Sequence, residues 1–471
     1  MNTANSSLER VLFWALLALI VWVPLPYASV LPWCRAVIEV WIFFLMMLWL
    51  FEYIKGQVRF TPVFVKSMPV ITLLMVWLFW IGMQFVSLPS ELVAVISPHS
   101  ARINALAGNA AWISTSVNPH ATASLWLESA SLVMFFALLL LLVNNNSRLK
   151  LLAQTLVYSG LFQAVYGSLM TLSGLEFIFF SRKWDYIGSA TGTFVNRNHL
   201  AGYLGMCLAV GIGLLISKLG GHHADDWLQR LRNFILFVFS SKLRLRVYLA
   251  LMVIALVLTR SRTGNTAFFS SLLAAGTVRL VFSRHESISL VMLLVSLVII
   301  DTFIVGEWFG IEKVIERIAS SSVDQDASRI DLTEKGIRQW LDYPLTGSGL
   351  GSFDTVFTRY KNMELNGFPE HAHNDYVEFG SETGIVGFCL LGLFVMTSFL
   401  AALTALRRRH DPLMRGMAFS AVMGIIAIMV HSTVDFNLQI PSNALTFMVI
   451  LALGWLSLHL DSGHRHKSRG G

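Results

Sequence analysis

Charge is what this sequence has least of. Only 13% of its 471 residues are Asp, Glu, Lys or Arg, against 55% hydrophobic types, whereas a soluble domain carries roughly 25% charge. That deficit excludes a soluble globular enzyme, a disordered chain and a nucleic-acid-binding domain, even though the formal net charge is +7. Cysteine is nearly absent too. Cys34, Cys207 and Cys389 lie far apart, each in or beside an apolar stretch, and no CxxC occurs. A disulfide framework and a zinc knuckle are excluded, and the three thiols read as small packing residues. There is no internal repeat, no heptad array and no low-complexity linker.

What fills the chain is long apolar runs, with a mean hydropathy of +0.63. About twelve are long enough to cross a bilayer: 11–31, 36–54, 68–88, 125–143, 150–171, 199–217, 247–260, 264–282, 287–306, 384–405, 416–435 and 443–460. The first follows a single basic residue, Arg10. It is too long for a signal-peptide core and has no small-x-small cleavage site after it, so it reads as an uncleaved helix. The expected fold is an all-α integral membrane protein.

The connections are of two kinds. One is basic: Lys55, Arg59 and Lys66; Arg148 and Lys150; 218–246; Arg284; Arg407 to Arg409 and Arg415; and the tail with Arg465, Lys467 and Arg469. Alternating the spans from a cytoplasmic N-terminus collects all of these on one side, with about 21 of the Lys and Arg residues, as cytoplasmic loops require. Both termini are then cytoplasmic. Segments 89–124, 172–198, 260–264 and 307–383 fall on the other side. The division expected is 1–306 for nine spans, 307–383 for an outer helical loop bearing part of the active site, and 384–471 for three spans and the tail. Within the loop, Ala327–Trp340 has helical spacing, stopped at Asp342-Tyr-Pro-Leu-Thr-Gly. A second helix is expected over about 369–382, leading through Gly384 into the tenth span.

Four clusters on the outer side carry candidate chemistry. Asn196, Arg197, Asn198 and His199 sit at the mouth of the sixth span. Arg260 and Arg262 occupy a tight turn between two spans. Arg329 lies in the outer helix. His371, His373, Asn374, Asp375 and Glu378 follow within eight residues. Charges at membrane depth are costly and tend to be paired or functional. Each cluster also has a plain reading: interfacial arginines on lipid headgroups, a solvated helix face, a helix-capping histidine pair, a satisfied histidine within the bundle. Their concentration on one side favours function.

Two other motifs carry less. Gly347-Ser-Gly-Leu-Gly lacks a preceding strand and a Lys-Ser/Thr, so it meets neither nucleotide fingerprint and reads as a flexible turn. His371 and His373, two apart on a helix, would point about 200° from each other, which does not suit a catalytic metal site with three fixed ligands. No metal and no cofactor is expected. Glu39, Glu128, Asp301 and His431 lie within spans, where hydrogen bonding between helices is the ordinary role and a proton path the functional one.

In this order the motifs resemble the O-antigen ligase and polymerase family of bacterial envelope proteins. The matching stretches are Gly192-Thr-Phe-x-Asn-x-Asn-His-x-Ala201, the Thr-x-Ser-Arg turn ending at Arg262, the Arg329 helix, Pro344-Leu-Thr-Gly-Ser-Gly-Leu-Gly-Ser-Phe353, His371-Ala-His-Asn-Asp-Tyr376 and Glu382-Thr-Gly-Ile-Val-Gly387. The resemblance implies an architecture similar to the GT-C class of membrane glycosyltransferases. It implies a metal-independent, inverting enzyme in the bacterial inner membrane with a periplasmic active site. The donor it implies is a glycan on undecaprenyl diphosphate; the acceptor is lipid A-core, another glycan or a protein hydroxyl. The residues matching the family's essential group are Arg262, Arg329 and His373, with His371 close behind. No nucleic-acid partner is implied.

The residues suit that chemistry. Without nucleotide sugars, the energy resides in the donor's glycosyl diphosphate bond, and breaking it leaves negative charge on the departing diphosphate. Guanidinium groups hold phosphate oxygens bidentately, so Arg262 and Arg329, supported by Arg260 and Arg197, are the expected diphosphate ligands. His373 is the expected base or orienting group for the acceptor hydroxyl, tuned by Asp375 or Glu378 and aided by Asn374, Asn196, Asn198, His199 and His371. Two non-catalytic readings compete: a lipid or polysaccharide transporter, which would be expected to show repeats and broken mid-membrane helices, and a scaffold subunit, which would tolerate replacement of these clusters.

Overall fold

A computed structural model describes residues 7–108, 110–218, 241–282, 322–361 and 370–461. The described chain is a helical bundle: α1 (Ser7–Trp22), α2 (Pro32–Ile54), α3 (Pro62–Lys66), α4 (Met68–Phe85), α5 (Ser90–Ile96), α6 (Pro98–Ala107), α7 (Pro119–Leu142), α8 (Asn146–Leu172), α9 (Arg197–Ile216), α10 (Ser241–Leu258), α11 (Arg262–Phe282), α12 (Ser322–Asp342), α13 (Phe353–Phe357), α14 (Asp375–Arg408), α15 (Pro412–His431) and α16 (Pro441–His459). Two two-residue antiparallel ladders, 88–89 with 112–113 and 177–178 with 181–182, are the strands among the described residues. Among the described residues, eight helices are long and apolar enough to cross a membrane: α2, α4, α7, α9, α11, α14, α15 and α16. The helices α1, α8 and α10 occupy three more of the expected spans. The ninth expected span, 287–306, and most of the 218–246 connection lie outside the described residues.

Local chemistry sets where the helices begin. Proline opens α2, α7, α15 and α16, where its missing N–H is not needed. Asn118, Asn145, Asn196, Asn374 and Asp411 cap α7, α8, α9, α14 and α15, each side chain accepting a hydrogen bond from a first-turn N–H. Helix α9 is the axis: every residue from Asn198 to Ile216 is buried. It meets α15 at close range because Gly213 and Gly416 face each other. A Cβ on either would come within 2.3 Å of the other's carbonyl oxygen. Small residues allow such contact where packing, rather than hydrophobic expulsion, holds helices together.

The connections sort to two ends of the bundle. At one, Arg148 Nη1 donates to Glu9 Oε1 at 2.5 Å and to the Leu142 carbonyl at 2.8 Å, Thr61 Oγ1 donates to the Leu140 carbonyl at 2.7 Å, and Arg409 bonds the Leu460 carbonyl. At the other, Thr193 Oγ1 donates to the Pro24 carbonyl at 2.5 Å, Ala190 N–H to the Leu258 carbonyl at 2.8 Å, Val117 N–H to the Ser348 carbonyl at 2.8 Å, and Asp375 N–H to the Ser432 carbonyl at 3.0 Å. All four candidate clusters lie at this second end, away from the basic connections.

Three local expectations change. The first helix stops at Trp22 rather than running past Val30, because Pro24 and Pro26 break it into turns with left-handed Tyr27, Ala28 and Ser29. The expected helix over 369–382 begins only at Asp375, where Asn374 caps it. It continues as one 34-residue element kinked at Gly384. His371 and His373 are therefore not on a helix, and the 200° divergence does not apply. Finally, the loop from Thr346 to Phe353 is a turn, but not a flexible one. It is buried against Gln84, whose Nε2 donates to the Thr346 and Glu382 carbonyls at 2.6 and 2.9 Å while its Oε1 accepts from Leu350 N–H at 3.1 Å.

Gly384 makes this wedge possible. Its φ of 65° and ψ of −179° are open essentially to glycine alone. A Cβ there would sit 2.0 Å from the Leu345 carbonyl oxygen. Gly384→Ala is expected to cost about 3 kcal/mol or more and to remove the monodisperse peak in size-exclusion chromatography. Gly392→Ala, on the same helix with open space at its Cβ, should leave it intact. Equal behaviour of the two variants would refute the wedge.

Candidate functional site

The site assembles from five segments of the chain at one end of the bundle. The 172–196 segment delivers Tyr186 and, at the first turn of α9, Arg197 and His199. The α10–α11 turn delivers Arg260 and Arg262, α12 delivers Arg329, the stretch before α14 delivers His371 and His373, and the 432–440 connection delivers Asp435 and Phe436. Two of these residues adopt left-handed backbone, Arg260 with φ 54° and His373 with φ 51°. That conformation costs a non-glycine residue about 1–2 kcal/mol, and here it sits at two positions where side-chain direction matters.

The arginines converge. The Arg197 guanidinium lies 5.4 Å over the Tyr186 ring, and its Nη1 donates to Ser189 Oγ at 3.4 Å. Arg260, Arg262 and Arg329 are all near enough to repel Arg197 electrostatically. Arg260 Nη1 reaches the backbone at Gly188, 3.7 Å from where a Cβ would stand. Arg329 Nη1 donates to the Val434 carbonyl at 3.4 Å, which ties α12 to the α15–α16 connection. Arg260 and Arg262 are exposed, while Arg197 and Arg329 are half-buried. Four positive groups collected on one face repel one another, and a polyanion placed among them relieves that repulsion.

Beside them stands a group of imidazoles around one ring. Phe436 stacks on His371, with ring centroids 4.3 Å apart, and meets His199 and His373 edge to face at 4.6 and 4.8 Å. Asp435, fully buried, turns Oδ1 toward His373 Nδ1 at 3.5 Å and His199 Nε2 at 3.8 Å. Burial alone would raise the Asp435 pKa. The ring nitrogens of His199 and His373 that face it, and the field of His199 and His431, outweigh it and hold the carboxyl well below the ordinary carboxylate range. Asp435 is thus a fixed negative charge beneath the imidazoles, the arrangement that orients a histidine for proton transfer.

The carboxylates next to the histidines in sequence have other partners. Asp375 does not face His373. Its Oδ2 accepts from Ser432 Oγ at 2.6 Å and Leu438 N–H at 3.2 Å, pinning the 432–438 turn to the start of α14. Glu378 pairs with His371, Nδ1 to Oε1 at 2.6 Å, and its Oε2 accepts from Ala372 N–H at 2.8 Å. Asn374 and Asn196 are helix caps; Asn374 also donates to the Thr433 carbonyl at 2.9 Å. Asn198 is buried in the first turn of α9. Asp435, Phe436 and Tyr186 were not singled out by the sequence reading, which ran the eleventh span through Asp435; α15 in fact ends at His431. His431 is buried at the end of α15, within the field of Asp435 and His199. The pair Arg35–Glu128, at 3.4 Å, joins α2 to α7. Asp301 lies outside the described residues. Among the described residues no group of three or more His, Cys, Asp or Glu is disposed to hold a metal ion.

The His371–Glu378 pair has a consequence for pH. Burial opposes protonation of His371, but the Glu378 carboxylate outweighs it, and the His371 pKa stands above its ordinary 6.5. A raised folded-state pKa stabilises the fold fully below the unfolded value, and that contribution is lost as pH rises through the folded value. Wild-type protein in detergent is therefore expected to lose thermal stability relative to Glu378→Gln from about pH 6.5 upward, by on the order of 2 °C. Parallel pH profiles for the two proteins would rule the pairing out as a stabilising element.

Residues 247–392 match the family model described as O-Antigen ligase. No curated protein matches the chain. The matched segment contains Arg260, Arg262, Arg329, His371 and His373, whereas Arg197, His199, Asp435 and Phe436 lie outside it and join the site only through the fold. The chain is an all-α, multi-pass membrane protein by its described residues, and its segment 247–392 matches the O-antigen ligase family model.

Proposed function

We propose that the protein transfers a glycan from undecaprenyl diphosphate to an acceptor hydroxyl, by inversion and without a metal, on the periplasmic face of the bacterial inner membrane. The observation that carries this reading is the juxtaposition of four guanidinium groups with imidazoles held over a buried carboxylate, within and around an O-antigen ligase domain. The basic connections at the opposite end support a cytoplasmic orientation for both termini. Under this reading 307–383 is the periplasmic loop between a nine-span unit, 1–306, and a three-span unit, 384–471.

In the reaction, Arg262 and Arg329 bind the donor diphosphate from two sides, with Arg260 and Arg197 alongside. The acceptor oxygen attacks the anomeric carbon opposite the diphosphate. The carbon–oxygen bond to the diphosphate breaks, its electron pair stays on the leaving oxygen, and the guanidinium groups take up the charge that develops there. His373 accepts the hydroxyl proton on its outer nitrogen, while Asp435 fixes Nδ1–H and balances the imidazolium formed. His199 shares the same carboxylate and keeps it in place.

The test is reconstitution in proteoliposomes with an undecaprenyl diphosphate-linked glycan, products being sorted by mass into glycolipid, lengthened polymer and glycoprotein. Transfer is expected, and it is expected to persist in EDTA. Absence of any product from a well-folded preparation would refute the transferase reading. Loss in EDTA restored by a divalent ion would refute metal independence.

A further inference from the structure

The connection from α8 to α9 carries an apolar surface that the reaction does not use. On α8, Tyr158, Phe162, Val165, Leu169 and Leu172 are exposed. Their spacing of four and three places them in one stripe that runs to the helix end on the site's side. The chain then turns back on itself. Glu176 N–H donates to the Met170 carbonyl at 3.2 Å. The Tyr166 hydroxyl donates to the Phe177 carbonyl at 3.1 Å and accepts from Phe179 N–H at 2.7 Å. Phe162, Tyr166 and Phe179 stack in series, with ring centroids 5.9 and 5.7 Å apart. The 177–182 hairpin therefore lies along the stripe rather than standing away from the bundle. Tyr27 holds its second strand, the hydroxyl donating to Ser181 Oγ at 2.9 Å. The tip is Phe179-Phe180, with Phe179 left-handed at φ 50° and Phe180 99% exposed. A tight hairpin tip in water selects Asn, Asp or Gly. Beyond it, Trp184 and Ile187 are each 67% exposed.

We propose that this hairpin is a bilayer anchor. Phe179, Phe180, Trp184 and Ile187 sit at the boundary between acyl chains and headgroups in the leaflet on the site's side, and that seat sets the depth of the arginine face. The occupant is phospholipid, because the apolar surface continues the exposed α8 stripe through the stacked rings. Arg182 and Asp185, both exposed beside it, suit a headgroup layer. Aromatic rings concentrate at this level of a membrane. The coupling to the site is made of short contacts. Lys183, buried, donates from Nζ to Glu176 Oε2 at 2.5 Å, to the Ser189 carbonyl at 2.8 Å and to the Tyr186 carbonyl at 3.2 Å. Gly188 N–H donates to Glu176 Oε1 at 2.8 Å. Tyr186 carries the Arg197 guanidinium over its ring, and Gly188 borders Arg260. Lifting the hairpin out of lipid would move both arginines away from the depth of a membrane-borne phosphate. That consequence rests on the transferase reading; the lipid seat does not.

Depth can be read without turnover. Phe180→Cys, in a Cys389→Ser background because Cys34 and Cys207 are buried, would carry a nitroxide in phosphatidylcholine nanodiscs. Power saturation then compares collisions with oxygen, which enters lipid, and with a nickel chelate, which stays in water. Leu169→Cys and Arg338→Cys supply the lipid and water references. The oxygen-to-nickel ratio at Phe180 is expected about fivefold above that at Arg338 and close to that at Leu169. A ratio like that of Arg338 would overturn the anchor. So would protection from both colliders, the result if a second copy or another protein covers the tip. Phe180→Ser combined with Trp184→Ser leaves the Lys183–Glu176 clamp in place. It should raise the donor KM about threefold, as expected if the competent depth is populated one-third of the time, with kcat within about twofold. An unchanged KM would remove the depth-setting role. If the wild type transfers no glycan while the Phe180 nitroxide reports lipid, the transferase reading fails and the anchor stands.

Discussion

Replacing Arg262 or Arg329 by alanine is expected to reduce glycan transfer by about 10³-fold while the protein still inserts and remains monodisperse. A fixed donor aimed at developing negative charge contributes about 2.7–4 kcal/mol in the transition state, and each arginine supplies more than one N–H. Lysine keeps the charge but loses the planar fork, so Arg262→Lys and Arg329→Lys should recover only part of the rate. The control lies on the same helix as Arg329. Arg338, nine residues on, is about half a turn away around α12, exposed and paired with Glu334 at 2.7 Å. Arg338→Ala should transfer at the wild-type rate. Initial rates in proteoliposomes with saturating donor decide the matter, and near-normal rates for both Arg262→Ala and Arg329→Ala would remove the diphosphate role from this cluster.

Replacing Asp435 by asparagine is expected to lower kcat by about 10²–10⁴-fold, in the range seen when the carboxylate orienting a catalytic histidine is neutralised. The change is nearly isosteric. Phe436 N–H donates to Asp435 Oδ1 at 3.0 Å, a bond that an amide oxygen retains, so the turn should persist. What disappears is the negative charge under His373 and His199. Because that charge lies near the arginine face, its removal should leave the donor KM unchanged or lower it. The split between kcat and KM separates this role from a structural one. Asp375→Asn, by contrast, should act mainly on thermal stability, since Asp375 holds Ser432 and Leu438 rather than an imidazole. A kcat within threefold of wild type for Asp435→Asn would leave His373 without its orienting carboxylate and sink the proton-transfer role.

The two positions differ in how visible they were. Arg262 and Arg329 stand out because charge is rare in this chain and both fall in motifs with a family counterpart. Asp435 has no such mark. It follows an apolar span by a few residues, within the twenty-residue stretch that hydropathy alone assigns to the membrane. Only the end of α15 at His431, and the turn that follows, bring its side chain under the histidines. The single charged residue of a very short connection between two spans was the available signal.

The sequence by itself determined the class of protein, most span positions and which residues form the four candidate clusters. Each of these depends on chemistry local to a few residues or to one apolar run. Tertiary structure alone decided who faces whom. Glu378 turned out to serve His371, and Asp435 to serve His373 and His199, partners drawn from separate helices and connections. The glycine wedge was likewise invisible beforehand, because it arises where segments hundreds of positions apart meet. Composition reports the cost of placing a group in a membrane; only the packed bundle specifies which opposing charge meets that cost.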